Sequence, residues 1–283
     1  MQQRDLYCAQ LVRDGDRDRY LAGLFAGEDR RPHLFALYAF NVEIARVREL
    51  VRQPPAGEVR LQWWREAIEQ RGRSEVRANP AADALLDTIS ARGLSEQMLF
   101  EVIEARRFDL YNEPMPTLGD LDAYMRATSS AIMSLAAATL DSAEGAQMAA
   151  SAADHAGIAY AVVGLLRALP IHAARGQLYV PLDLLERHRA RPDDIVAGKP
   201  TPEVRAAINE LCQHAHQHLA EFKKLGAQVP PQASPAFLPA ALVPDLLARI
   251  QRVDYNPFAA VDVPQWRRQW TLWRAARRNF PSA

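Results

Sequence analysis

The sequence predicts an all-α protein, and three observations carry that prediction. Glycine is scarce, at 13 of 283 residues, while Ala, Leu, Arg and Glu recur. Alternating β-branched residues are nearly absent, so no long stretch reads as a half-buried strand. Proline and small polar residues punctuate the apolar runs, as expected of helices joined by short loops. With 49% hydrophobic residues the chain can bury a large core, which excludes disorder.

Each element follows from local pattern. Leu34, Leu37, Tyr38, Ile44 and Val51 fall mostly at helical spacing, with Pro32 near the start and Pro54-Pro55 as a stop. Gly57 then opens a second helix, Val59 to Glu69, which carries Trp63 and Trp64. Asn79 caps a third, with Pro80 in its first turn and Gly93 at its end. Ser95 caps a fourth, expected to reach about Tyr111, and Pro114 and Pro116 break the chain after it. Thr117 to Leu140 reads as one long helix. Ser151 to Leu169 is Ala-rich and apolar on most of its surface, the mark of a central helix, and Pro170 is expected to end or kink it. Leu178 to Pro181 is a short extended piece, and Pro192-Asp193-Asp194-Ile195 starts a short helix rather than forming a carboxylate pair. Pro202 to Leu225 is amphipathic. Pro230, Pro231, Pro235 and Pro239 mark a loop before a helix from Leu242 to Val253, and Pro264 starts the last helix, about 264–280. About ten helices in one domain, 1–283, are expected.

Charge and cysteine content narrow the function classes. Lys plus Arg and Asp plus Glu both number 34, and the pI is near 7.1. A balanced chain offers no global field for nucleic acid. Cys8 and Cys212 lie in no paired motif, so neither a disulfide framework nor a cysteine zinc site is indicated. No apolar leader and no run of about 18 apolar residues is evident. The expectation is a cytoplasmic protein, with peripheral contact to the inner membrane open.

Several side-chain groupings bear on chemistry. Tyr38, Val42, Ala45 and Glu49 share one helical face, and Ala161, Gly164, Ala168 and His172 share another. Such faces either line an apolar cavity or pack closely through small residues. Arg46, Arg48, Arg167 and Arg175 suit phosphate or are solvated. His214 and His218 stand at i, i+4, a metal-chelating spacing, but no acidic third ligand is obvious, so a polar helix face is expected and no metal site is assigned. Trp266, Trp270 and Trp273 form a stripe among Arg267, Arg268, Arg274, Arg277 and Arg278. That stripe either meets an anionic membrane or acidic partner, or docks on the domain.

Three stretches carry a family resemblance: Ala36 to Glu49 (ALYAFNVEIARVRE), Arg60 to Glu69 (RLQWWREAIE), and Gly164 to Pro181 (GLLRALPIHAARGQLYVP). In order and spacing they resemble the squalene/phytoene synthase family, from about Asp16 to Glu186. The resemblance implies the isoprenoid synthase fold, a helical bundle with a central cavity. It also implies enzymes that join two prenyl diphosphates using magnesium held by aspartates on two facing helices. At the principal acidic positions this chain has Ala45, Glu49, Ala168 and His172, and Arg46 follows Ala45. One carboxylate remains of four. Tyr20, Tyr38, Arg167, Arg175 and Tyr179 match positions near the substrate and, with Arg46, are the ligand-binding candidates.

The wording of the altered motifs is similar to a branch whose mitochondrial members assist assembly of respiratory complex I. The expectation is a non-catalytic member without cofactor, acting in assembly or in isoprenoid or lipid binding. The alternatives are an active prenyltransferase with magnesium, and a peripheral lipid-binding protein contacting membrane through Trp266, Trp270, Trp273, Arg267 and Arg274.

Overall fold

A computed structural model describes residues 3–71, 73–278 and 280–281. The longer helices are α1 (Gln3–Gly15), α2 (Arg17–Gly23), α3 (Arg31–Ala45), α4 (Pro54–Glu69), α5 (Pro80–Arg92) and α6 (Glu96–Ala105). They continue as α7 (Leu118–Met125), α8 (Ala131–Leu140), α9 (Ala150–Ala174), α10 (Pro202–Leu225), α11 (Val243–Ile250) and α12 (Gln265–Arg277). No strand occurs among the described residues. The all-α prediction holds.

The caps form where the sequence put them. Asn79 Oδ1 accepts from the backbone N–H of Ala81 and Ala82 at 3.0 and 3.1 Å, with Pro80 in the first turn. Gly93 closes α5 in the left-handed conformation, φ 62°, and Ser95 caps α6. Leu178 to Pro181 is extended beside Met115: Met115 N–H donates to Leu178 O, and Leu182 N–H to Met115 O, both at 2.9 Å.

The central helix α9 packs most extensively along α10, and α3 sits against α1 and α5. One contiguous apolar cluster runs from Cys8 to Leu272. Where α9 crosses the α7–α8 segment the backbones nearly touch. A Cβ on Gly157 would lie 2.4 Å from Ser130 Cα. Ser130 belongs to a π turn, Arg126–Ser130, which joins α7 to α8 and interrupts the expected single helix from Thr117 to Leu140. Ser130 Oγ donates to the Asp154 carbonyl at 2.8 Å, so the turn is stitched to α9 at this crossing.

Other boundaries differ from expectation for physical reasons. Helix α9 runs through Pro170 to Ala174. The proline removes one donor close to the C-terminal end, where the helix has packing on Leu169 and Ala173 to hold it. Pro54 and Pro55 open α4 instead of only stopping α3, since a proline needs no partner in the first turn. Helix α3 ends at Ala45, and a separate turn, Val47–Leu50, buries Val47 and carries Glu49. The proline-rich stretch from 230 is a chain of short helical turns, Pro231–Ala233, Ser234–Phe237 and Leu238–Leu242, not a loop. Helix α1 buries only the narrow stripe Cys8 and Val12, a weak periodic signal in the sequence.

Two stretches, Ala150–Ala174 and Pro231–Ile250, are long and apolar enough by length and composition to cross a bilayer, contrary to expectation. Both contribute buried residues to the core cluster, as the interior helices of a bundle do.

Candidate functional site

Two of the stretches that carry the family resemblance meet. The end of α3 brings Ala45, and the turn after it brings Arg48 and Glu49. The end of α9 brings Leu165 and His172. Facing them are Arg175, Gln177 and Tyr179 from the segment after α9, with Arg106, Asp109 and Tyr124 beneath. Together they line a cleft of about 110 Å³.

Its floor is a closed hydrogen-bond network around Asp109. Tyr179 and Tyr124 donate their hydroxyls to Asp109 Oδ1 at 2.6 and 2.7 Å, and Arg106 donates to Oδ2 at 3.1 Å. Gln177 Nε2 donates to the Asp109 carbonyl at 2.9 Å. Burial, then the neighbouring Asp109 carboxylate, hold the Tyr179 hydroxyl well above its ordinary pKa, so it remains a donor. The His172 ring packs on Tyr179 with centroids 4.6 Å apart. Burial lowers its pKa to about 4, so the imidazole is neutral at pH 7. Its Nδ1 is buried without a hydrogen-bond partner.

The rim is arginine-rich. Glu49 lies 3.4 Å from Arg175 and 3.7 Å from Arg46, both half-exposed contacts. Arg48 donates to the Val51 carbonyl at 3.4 Å. Magnesium needs oxygen ligands in near-octahedral array. The two carboxylates of this cleft are Asp109, whose oxygens are taken by Arg106 and two tyrosines, and Glu49, shared by two arginines. Ala45 and Ala168 carry no ligand atom. The residues present do not fit magnesium; Arg48, Arg106 and Arg175 fit an anion.

The small-residue face of α9 is open. Gly164 is exposed, and a Cβ there would meet nothing within 4 Å. Behind it Val162, Leu166 and Leu169 pack closely, leaving about 10 Å³, room for one water at most. Close packing through glycine occurs at Gly157, not Gly164.

The remaining candidates lie elsewhere. Tyr20 stacks on Phe35 at 5.5 Å, and buried Tyr38 lies under the Arg19 guanidinium at 5.8 Å. Arg167 reaches Asp18 at 3.2 Å and Asp262 at 3.4 Å. Arg268 of α12 reaches the same two carboxylates, at 2.7 and 2.5 Å. Burial raises the Asp18 pKa despite the two arginines beside it. Arg268 Nε and Asp18 Oδ1 are close but misaligned, so this contact is an ion pair without a hydrogen bond.

Helix α12 therefore turns Arg268 and Leu272 inward and its indoles outward. Trp266, Trp270 and Trp273 are 65%, 55% and 42% exposed. Trp270 and Trp273 stack at 5.0 Å, and Arg267 and Arg277 lie over Trp266 and Trp273. With Arg274 and Lys223, Trp266 and Trp270 edge a surface groove of about 560 Å³.

No sequence motif marks Asp109, Arg106, Tyr124 or Gln177 as site residues. The one signal was the i, i+3 spacing of Arg106 and Asp109; the short turn Phe108–Leu110 that aims Asp109 inward has no motif of its own.

Comparison with known proteins agrees with this architecture. The family described as squalene/phytoene synthase matches residues 12–274, extending the resemblance well beyond Glu186. NADH dehydrogenase (ubiquinone) complex I, assembly factor 6, of Rattus norvegicus is 31% identical over 253 residues, covering 89% of this chain and 75% of that protein. The Homo sapiens protein of the same name is 31% identical over 254 residues, covering 90% and 76%. Phytoene synthase 2, chloroplastic, of Solanum lycopersicum is 28% identical over 265 residues, covering 89% and 82%. Among solved structures, squalene synthase HpnC from Alicyclobacillus acidocaldarius has a TM-score of 0.74 at 26% identity, covering 90% of this chain and 95% of that one. A dehydrosqualene synthase superposes with a TM-score of 0.85 at 14% identity over 99% and 98%, a likeness of fold alone. The chain has the isoprenoid synthase fold and belongs to the squalene/phytoene synthase family.

Proposed function

We propose that this chain is a non-catalytic member of its family that serves in assembly of a respiratory complex of the complex I type. One observation carries the reading. At the positions where the family resemblance expects metal-binding acids stand Ala45, Ala168 and His172, and the remaining acid, Glu49, is engaged by Arg46 and Arg175. Departure of a diphosphate needs its developing charge neutralised, and loss of even one such stabilising donor costs about 3 kcal/mol. The similarity to assembly factor 6 supports the assembly role.

Two measurements test it. Deleting the gene lowers assembled complex I and leaves the isoprenoid profile unchanged; a normal complex I level removes the assembly role. Purified protein with farnesyl or geranylgeranyl diphosphate and magnesium yields no squalene, phytoene or cyclopropyl intermediate. Steady product would establish the prenyltransferase alternative instead.

The outward indoles favour a second, compatible reading: α12 seats the protein peripherally on an anionic bilayer. Three exposed tryptophans flanked by Arg267, Arg274, Arg277 and Arg278 combine interfacial aromatic area with a cluster of positive charge. Sedimentation with vesicles containing phosphatidylglycerol, but not with pure phosphatidylcholine, is the expected result, weakened by salt and by W270A/W273A. Equal binding to both vesicles, or no effect of the substitutions, would remove it.

A further inference from the structure

We propose that His155, His214, His218 and Asp122 form a binding site for one divalent transition-metal ion of the zinc class. Nothing in the reading of the cleft requires it. His155 stands seventeen residues before His172 on α9, about 25 Å along the helix axis. The two sites are therefore separate, and either holds if the other fails.

Three helices converge here. Helix α10 presents His214 and His218 one turn apart on one face, α7 brings Asp122, and α9 brings His155. His214 Nε2 lies 2.7 Å from Asp122 Oδ1. The His214 and His218 rings stand 4.6 Å apart between centroids. His155 Nδ1 points at His218 Nδ1 across 2.9 Å. One ligand atom from each of Asp122, His214 and His218 can be chosen so that all lie within 4.8 Å of one another. Tetrahedral zinc with bonds of about 2.0–2.1 Å sets its ligand atoms about 3.4 Å apart. Shifts of roughly an ångström in side-chain position would close the cluster around an ion.

The chemistry of the donors selects the ion. Three imidazoles and one carboxylate suit zinc, cobalt or nickel; magnesium and calcium prefer oxygen alone. The cluster is sheltered yet reachable, since the His214 and Asp122 side chains are 14% and 17% exposed. The neighbouring acid Asp154 is already held by Arg126 at 3.0 and 3.2 Å, which leaves Asp122 as the carboxylate of the cluster. Two imidazole nitrogens facing one another at 2.9 Å can share only one proton. A cation between them accepts a lone pair from each. Bound there, the ion would clamp α7, α9 and α10 together. Because Asp122 and His155 lie far from the His214–His218 pair in sequence, the pair looked like a polar helix face when read alone.

The experiment uses the full chain stripped with a chelator and titrated with zinc by calorimetry and with cobalt by visible absorption. The expected result is one ion per chain, an intense tetrahedral cobalt spectrum, and a melting temperature raised by zinc but not by magnesium. His218→Ala and, separately, His155→Gln should weaken zinc binding by about tenfold or more. His216→Ala is the control, because His216 is exposed and bonds Gln251 at 3.1 Å; binding should be unchanged. Circular dichroism of each metal-free variant separates lost binding from lost folding, and His155→Gln, at the edge of the cluster, keeps the test open if His218→Ala does not fold. Zinc binding no tighter than in the H214A/H218A variant, or weakened as much by His216→Ala, would overturn the proposal. So would a weak octahedral cobalt spectrum.

Discussion

Replacing Arg268 by alanine should destabilise the protein by about 3 kcal/mol, the lower end of the cost of removing one partner from a buried ion pair. The setting is explicit. Arg268 and Asp18 are each only 5% exposed in their side chains and stand 2.7 Å apart, while Asp18 keeps a second arginine, Arg167, at 3.2 Å. Without Arg268 the Asp18 carboxylate stays buried with half its compensation. Arg167 remaining in place, and a pKa already raised by burial, are why the lower end applies. For a chain of this size the loss corresponds to roughly 5 °C in Tm. Urea and thermal unfolding followed by circular dichroism measure it, and limited proteolysis reports whether α12 detaches first. Asp18→Leu combined with Arg268→Met should recover most of the loss, since removing both charges removes the desolvation penalty with the attraction. A single variant within about 1 kcal/mol of the parent, or a double variant that loses the sum of the singles, would refute the argument.

Acidification should also weaken the fold through His172. Its folded pKa of about 4 lies below the ordinary 6.5, so the unfolded chain binds the extra proton, and stability present above pH 6.5 falls toward pH 4 by about 3 kcal/mol. Replacing His172 with Asn should flatten that part of a urea-midpoint profile; an unchanged slope would show that other groups set it. Gly157→Val should cost about 2 kcal/mol or more, because its Cβ would meet the Ser130 backbone, whereas Gly164→Ala should be neutral or slightly stabilising. Equal melting temperatures for the two variants would contradict the crossing described. Tyr179→Phe should cost about 1–2 kcal/mol by removing a buried donor to Asp109, read as a lower urea midpoint at unchanged m-value.

Local chemistry wrote much of this molecule into its sequence. Absent strand periodicity, the caps at Asn79, Gly93 and Ser95, and the apolar run of α9 pointed to a helical bundle around one interior helix. Motif order pointed to the family and to the two stretches that wall the cleft, because helical spacing is a property of neighbours along the chain. Other features needed the assembled bundle. Nothing near Asp109 announces that it will sit beneath His172, and nothing near Asp18 announces Arg268, since each pairing spans a long separation that only packing closes. Nor did the stripe of indoles reveal which side of α12 would face the core. Burying one charged Arg268 against Asp18 and Asp262, with Leu272 one turn on, turned the more apolar side toward solvent, an orientation set by partners on distant segments and not by hydrophobicity along the helix.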